Sequence, residues 1–171
     1  SETLLLEGDP DLKYLQELSE RYGSKEFLIL TYTPNEGMVT DASINNLLSL
    51  KYKIQSLDWV HSVITLLDIP LLNSSDAPLQ ERLTKFKTLK DDGVDKIRGF
   101  NEIISSPVFR NFVISEDGKT SGIIVNIKKN KEIKNIYNKS KEEAERLKDK
   151  IKKQNHQNII EIRDVIKSYE N

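Results

Sequence analysis

Apolar residues recur along this chain at two different periods, and the switches between them mark out its elements. Leu12, Leu15 and Leu18 sit at helical spacing, opened by Gly8-Asp9-Pro10 and closed by Gly23. Asp9 is a natural N-cap with Pro10 at the first helical position, so the spacing predicts a helix over about 10–22. "KEFLILTYTP" follows with a nearly continuous apolar run. It predicts a strand over about 26–33, covered on both faces and stopped by Pro34. In "TDASINNLLSLKYKIQSLDWV", Thr40 or Asp41 can cap a helix whose stripe is Ile44, Leu47, Leu48, Leu50 and Ile54. "WVHSVITLLDIP" then alternates as a second strand through Val60, Val63 and the Leu66-Leu67 pair, ended by Pro70.

Residues 73–95 are polar and broken by Pro78 and Gly93, which predicts an exposed excursion with a short helical piece. A helix over about 95–105 leads into "SPVFRNFVISEDGKTSGIIVNI", two β-prone runs joined through Glu-Asp-Gly-Lys. Asp117-Gly118 between such runs predicts a hairpin with a type I′ turn, placing Glu116 opposite Lys119 as an ion pair. Beyond Gly122 there is no further Gly or Pro. Ser140-x-x-Glu143 is a capping box, and Ala144, Leu147, Ile151, Ile159, Ile162, Ile166 and Tyr169 keep steps of three and four if Asn155 fills the gap. One long amphipathic helix over about 140–168 is expected.

The order, α-β-α-β-(insert, α)-β-β-α, contains a ferredoxin-like βαββαβ kernel that stops before its last strand. The expected fold class is therefore α+β. It is a single domain over 1–171, with a core over about 24–127, an insertion over about 73–95 and the long C-terminal helix. The missing strand suggests a piece of a larger protein, whose unpaired edge offers a surface to another copy.

Charge changes this picture little. Of 171 residues 31% are charged, yet the formal net charge is only -1, so there is no general attraction to polyanions. Residues 128–171 are basic, 13 Lys/Arg against 8 Asp/Glu, but the two signs are interspersed as on a solvated helix. A nucleic-acid interface is not expected. The absence of cysteine removes disulfides, thiolate metal sites and cysteine nucleophiles. No stretch approaches the ~18 apolar residues of a membrane span, and no signal peptide is visible.

Candidate chemistry is sparse. His61 and His156 each stand alone, without a second ligand at a metal-binding spacing. Asp91-Asp92-Gly93 resembles a fragment of a calcium loop but lacks the alternating carboxylates and the final Glu. No glycine-rich phosphate cradle or nucleophile elbow is present. Phe27 and Tyr32 are five apart, on opposite faces of a strand, so they form no stacking platform for single strands. Glu116, Asp117 and Lys119 are explained by turn chemistry. No catalytic, cofactor-binding or metal-binding residue is assigned, and no enzyme activity is expected.

Three stretches carry a resemblance, in order and spacing: residues 3–34, 43–72 and 106–127. Their specific pieces are Gly8-Asp9-Pro10-Asp11-Leu12, then Val60-x-x-Val63 with Leu-rich residues to Pro70, and Ser106-Pro107 leading to Ser115-x-Asp117-Gly118. Together they resemble the first extracytoplasmic domain of resistance-nodulation-division (RND) superfamily exporters. The nearest branch is that of exporters with hydrophobic or lipid-like cargo, related to the large mycobacterial membrane proteins and the Patched-like group. The resemblance covers about half the chain, and the Lys/Asn-rich region from 128 onward has no counterpart in it.

The resemblance implies a periplasmic porter-type domain of a proton-driven exporter in the inner membrane. Its partners would be the transmembrane helices and second periplasmic repeat of the same protein, further copies, and hydrophobic or amphiphilic cargo. The proton-relay carboxylates would belong to membrane helices outside this sequence, so no residue here inherits a role. The alternative from the residues alone is a cytosolic ferredoxin-like regulatory or binding module, which a small metabolite would stabilise against heat.

Overall fold

A computed structural model describes residues 27–74, 78–129 and 141–169. The helix expected over 10–22 and the Ser140 end of the capping box lie outside the described residues. In chain order the elements are β1 (Phe27–Tyr32), α1 (Asp41–Gln55), β2 (Val60–Ile64), a 3-10 turn (Leu66–Asp68), α2 (Leu79–Thr84), α3 (Lys96–Ser105), β3 (Ser121–Ile127) and α4 (Lys141–Lys167).

The described strands form one antiparallel sheet in the order β1-β3-β2. Leu30 pairs with Ile123 on one side of β3 and Val63 with Val125 on the other. Strands β1 and β2 therefore run parallel to each other with β3 inserted between them, a split βαβ unit, and the fold is α+β. Strand β3 is central and almost wholly buried, with Ile123, Ile124, Val125 and Asn126 all nearly inaccessible. Alternation along it puts Ile123 and Val125 into the main core and turns Ile124 and Asn126 to the other face. The Asn126 amide is satisfied there by donating to Ser62 Oγ at 2.9 Å.

Helix α1 starts at Thr40, whose Oγ1 accepts the Ser43 N–H at 3.2 Å. Its buried face of Ile44, Leu47, Leu50 and Ile54 lies in the core with the sheet residues, as its spacing predicts. Helix α4 packs on α1 and closes the same layer. Its buried positions correct the expected stripe: Asn158 is buried and accepts from Gln154 Nε2 at 3.0 Å, while Asn155 and Ile159 are exposed. Counting back from Ile162 by one helical turn reaches Asn158, and two further turns reach Ile151, so an intact 3.6 period displaces Ile159 outward.

Two other expectations are corrected. Strand β2 ends at Ile64 instead of running on through Leu67. Thr65 and Asp68 form a capping box in which the Asp68 carboxylate accepts the Thr65 N–H at 2.8 Å. These local bonds draw Leu66 and Leu67 into a 3-10 turn and out of the ladder, with both side chains still buried.

The first limb of the expected hairpin is not a strand. After Ser106 caps α3, Arg110 N donates to Ser106 O at 2.9 Å and Val113 N to Phe109 O at 3.0 Å, and Asn111 takes a φ of 69°. Pro107 has no N–H for a ladder, and the chain coils through successive turns that keep Phe109, Phe112 and Val113 against the core. Only single bridges remain, Ile114 to Ser121 among them.

At the tip, Gly118 N donates to Ser115 O at 2.9 Å, and Gly118 alone is left-handed, at φ 71°. That is a right-handed turn followed by a left-handed glycine, not type I′, in which Asp117 would also need positive φ. No ion pair joins Glu116 to Lys119. The Asp117 carboxylate instead accepts from Ser115 Oγ at 2.6 Å and Lys119 N at 3.0 Å.

Candidate functional site

Helix α3 is started by Asp95, whose carboxylate accepts the N–H groups of Ile97 and Arg98, both at 3.1 Å. Steps of three and four residues then place Arg98, Asn101, Glu102 and Ser105 along one side of it. Opposite runs the segment 69–74, fixed where Leu71 N donates to Lys87 O at 2.8 Å. Between segment and helix lies a surface cleft of about 570 Å³. Ile69, Pro70, Leu72 and Phe109 give it apolar walls, and the α3 residues with Ser106 supply its polar side.

Glu102 ties the two walls together. Its Oε1 accepts the N–H of Leu72 at 2.7 Å and of Asn73 at 3.0 Å, and its Oε2 accepts from the buried Ser74 hydroxyl. Burial pushes the Glu102 carboxyl up. The Ser74 hydroxyl and the backbone N–H groups of Asn73, Leu72 and Ser74 outweigh it and hold the group below its usual range. The carbonyls of the same segment are engaged as well, since Arg98 Nη2 donates to Asn73 O at 3.0 Å and Arg82 Nη1 to Leu72 O at 3.3 Å. Donors and acceptors of residues 72–74 are thus bound by one carboxylate and two guanidinium groups, which fixes one wall of the cleft.

A second ionic cluster is structural. Lys51 is 8% exposed on α1 and pairs with Asp68 Oδ1, and Lys90 Nζ stands 3.7 Å from the same oxygen. Asp68 simultaneously completes the capping box, so its charge binds the 3-10 turn to α1 and to the 85–95 loop.

His61 is exposed on β2 and His156 exposed on α4, and the structure brings neither to the cleft. Glu116, Asp117 and Lys119 form the turn tip. The Asp91 carboxylate accepts from Thr88 N at 2.7 Å and Thr88 Oγ1 at 3.1 Å, a loop-closing role. Phe27 and Tyr32 do fall on opposite faces, and the Tyr32 hydroxyl donates to Ser43 O at 3.0 Å. Among the described residues no group of three or more His, Cys, Asp or Glu could hold a metal ion.

Glu102 carries no signal in the sequence. Its partners lie 28 to 30 residues away, and no motif links a glutamate in a helix to "LNS" across an insertion. The Thr65 capping box was readable as a Thr-x-x-Asp pattern. No described helix is long and apolar enough to cross a membrane. No family model, no curated protein and no solved structure matches this chain.

Proposed function

We propose that this chain is a periplasmic porter-type domain of a proton-driven RND-superfamily exporter of hydrophobic or amphiphilic, lipid-like compounds. The collinear resemblance of residues 3–34, 43–72 and 106–127 carries the reading. Two structural observations support it. The split βαβ sheet, β1-β3-β2 with helices α1 and α4, supplies three of the four strands of a ferredoxin-like βαββαβ core. The cleft draws its apolar wall from two of the resembling stretches, Ile69, Pro70 and Leu72 from one and Phe109 from the other.

On this reading the domain is non-enzymatic and forms part of the cargo path, with the cleft as a contact surface. It would work by rigid-body movement against the membrane helices, the second periplasmic repeat and further copies, as in repeat-built transporters.

The test uses the parent gene. Its coding sequence should place apolar spans of about 20 residues on both sides of this region. The parent protein, reconstituted in vesicles, should expel a hydrophobic fluorescent dye when a proton gradient is imposed and stop when the gradient is collapsed. Absent spans, or efflux indifferent to the gradient, would refute the assignment.

A further inference from the structure

The sheet has two faces, and among the described residues only one of them is packed. Leu28, Leu30, Val63, Ile123 and Val125 point into the core cluster that α1, α3 and α4 complete. The pairing register puts the alternate residues together on the opposite face. Ile29 and Ile64 flank Ile124 there, and Phe27 and Ser62 flank Asn126. None of Phe27, Ile29, Ile64 and Ile124 joins the core cluster. Yet Ile124 is only 6% exposed and Asn126 is fully buried. Neighbours on adjacent strands flank such side chains without roofing them, so this face carries a cover.

The sequence holds a segment suited to it. Leu12, Leu15 and Leu18 predict a helix over about 10–22 with one apolar stripe, and Glu17 falls on the opposite side of that helix. Such a helix is about 20 Å long at ~1.5 Å per residue. A six-residue strand such as β1 has the same length at ~3.3 Å per residue. Only residues 23–26 separate the predicted helix from β1, an ordinary length for a helix that folds back along the strand it precedes. The face of Ile123 and Val125 is filled by α1 and α4, which leaves the face of Ile124.

We propose that residues 10–22 lie antiparallel to β1 across Ile29, Ile64 and Ile124, with the leucine stripe turned to the sheet. A face so covered is closed to cargo and to a second copy. The proposal does not depend on the exporter reading.

The chain has no cysteine, so thiols can be introduced in pairs. In the full 171-residue chain, Ile64→Cys is combined in turn with Leu15→Cys, Leu18→Cys and Glu17→Cys, and each double variant is treated with a short bismaleimide linker. Leu15→Cys or Leu18→Cys should link to Ile64→Cys within one chain, and Glu17→Cys should not. Equal linking at all three positions would mean that the segment turns no fixed side to the sheet. Linking at none would mean that it lies elsewhere, and either result overturns the proposal. Links between chains in place of the internal link would overturn it in favour of a second copy as the cover. Melting followed by Trp59 fluorescence shows that each variant is folded. Ser62→Cys, on the same face, supplies the anchor if Ile64→Cys does not fold.

Discussion

A carboxylate that accepts several backbone N–H groups is tied to the folded state through its charge, and Glu102 is such a group. Its pKa lies below the ordinary 4.5 because the hydrogen bonds to the ionised form exceed the opposing effect of burial. Folding therefore favours the ionised form. The stability this contributes is fully present above the unfolded value and is lost as pH falls through the folded value. Glu102→Gln should cost about 0.5–1.5 kcal/mol at pH 7, because the half-exposed carboxylate is screened by solvent and the amide keeps one acceptor oxygen. In chemical unfolding across a pH series, the gap between parent and variant should narrow once pH drops below 4.5. A gap that stays constant with pH would mean the charge is not what holds residues 72–74.

Lys51 and Asp68 pose the opposite problem, a cation taken out of water. Removing one partner of a buried pair leaves the other uncompensated. Asp68→Asn should destabilise the chain by about 3 kcal/mol, the low end for such pairs, because the Asp68 side chain keeps 21% exposure. Adding Lys51→Met should recover part of the loss, so the double variant is less unstable than the two single losses combined. Simple additivity in a double-mutant cycle would show that the two side chains do not interact energetically.

Elements are where the sequence spoke most clearly, and where its silences have identifiable causes. Strand β1 and helices α3 and α4 fall within a residue or two of their expected spans, and α1 starts at one of its expected caps, because each carries its own period, cap or stop. Thr40, Asp95 and Pro34 act locally, and local signals are legible. What failed was also local in appearance but decided elsewhere. "VFRNFV" has the composition of a strand, yet Pro107 and the need to seat Phe109, Phe112 and Val113 in the core fold it into turns. Thr65 and Asp68 took two leucines away from β2 by the same kind of competition. Glu102 was illegible for a different reason: its partners are brought to it by the packing of α3 against the insertion, and no residue near it in sequence announces them.

The turn tip separates backbone from packing. At Gly118 a Cβ would meet Ile104 Cδ1 at 2.9 Å and Phe100 Cζ at 3.2 Å, in addition to the left-handed φ of 71°. Left-handed backbone alone costs an L-residue roughly 1–2 kcal/mol. Gly118→Ala should exceed that range, since the Ile104 side chain and the Phe100 ring must also give way. Asn tolerates the left-handed region but brings the same Cβ, so Gly118→Asn should remain destabilising by thermal melting. A neutral Gly118→Asn would show that only the backbone angle matters and that the α3 contact yields freely.

At the scale of the molecule, the question is whether the long C-terminal helix belongs to the domain or merely follows it. Its first half is charged and largely exposed, which taken alone would describe an independent solvated helix. Its second half is bound by contacts that span most of the chain. Ser49 Oγ and Tyr169 Oη are 2.7 Å apart, the Lys53 ammonium stands 4.8 Å from the Tyr169 ring, and Trp59 Nε1 donates to Glu161 Oε2 at 2.9 Å. Ile162, 3% exposed, enters the same core as Leu47 and Val63.

These contacts join residues more than a hundred positions apart, so α4 should unfold with the sheet in one cooperative step. Trp59, the chain's single tryptophan, sits on that junction and reports docking. Its fluorescence and the far-ultraviolet helical signal should lose amplitude at one common temperature. Ile162→Ala should lower that temperature by removing about 2–5 kcal/mol of core packing, with the two signals still coincident. If the Trp59 transition instead preceded the loss of helicity, α4 would be a separable arm. The cleft on α3 would then have to be understood without the layer that α1 and α4 form behind the sheet.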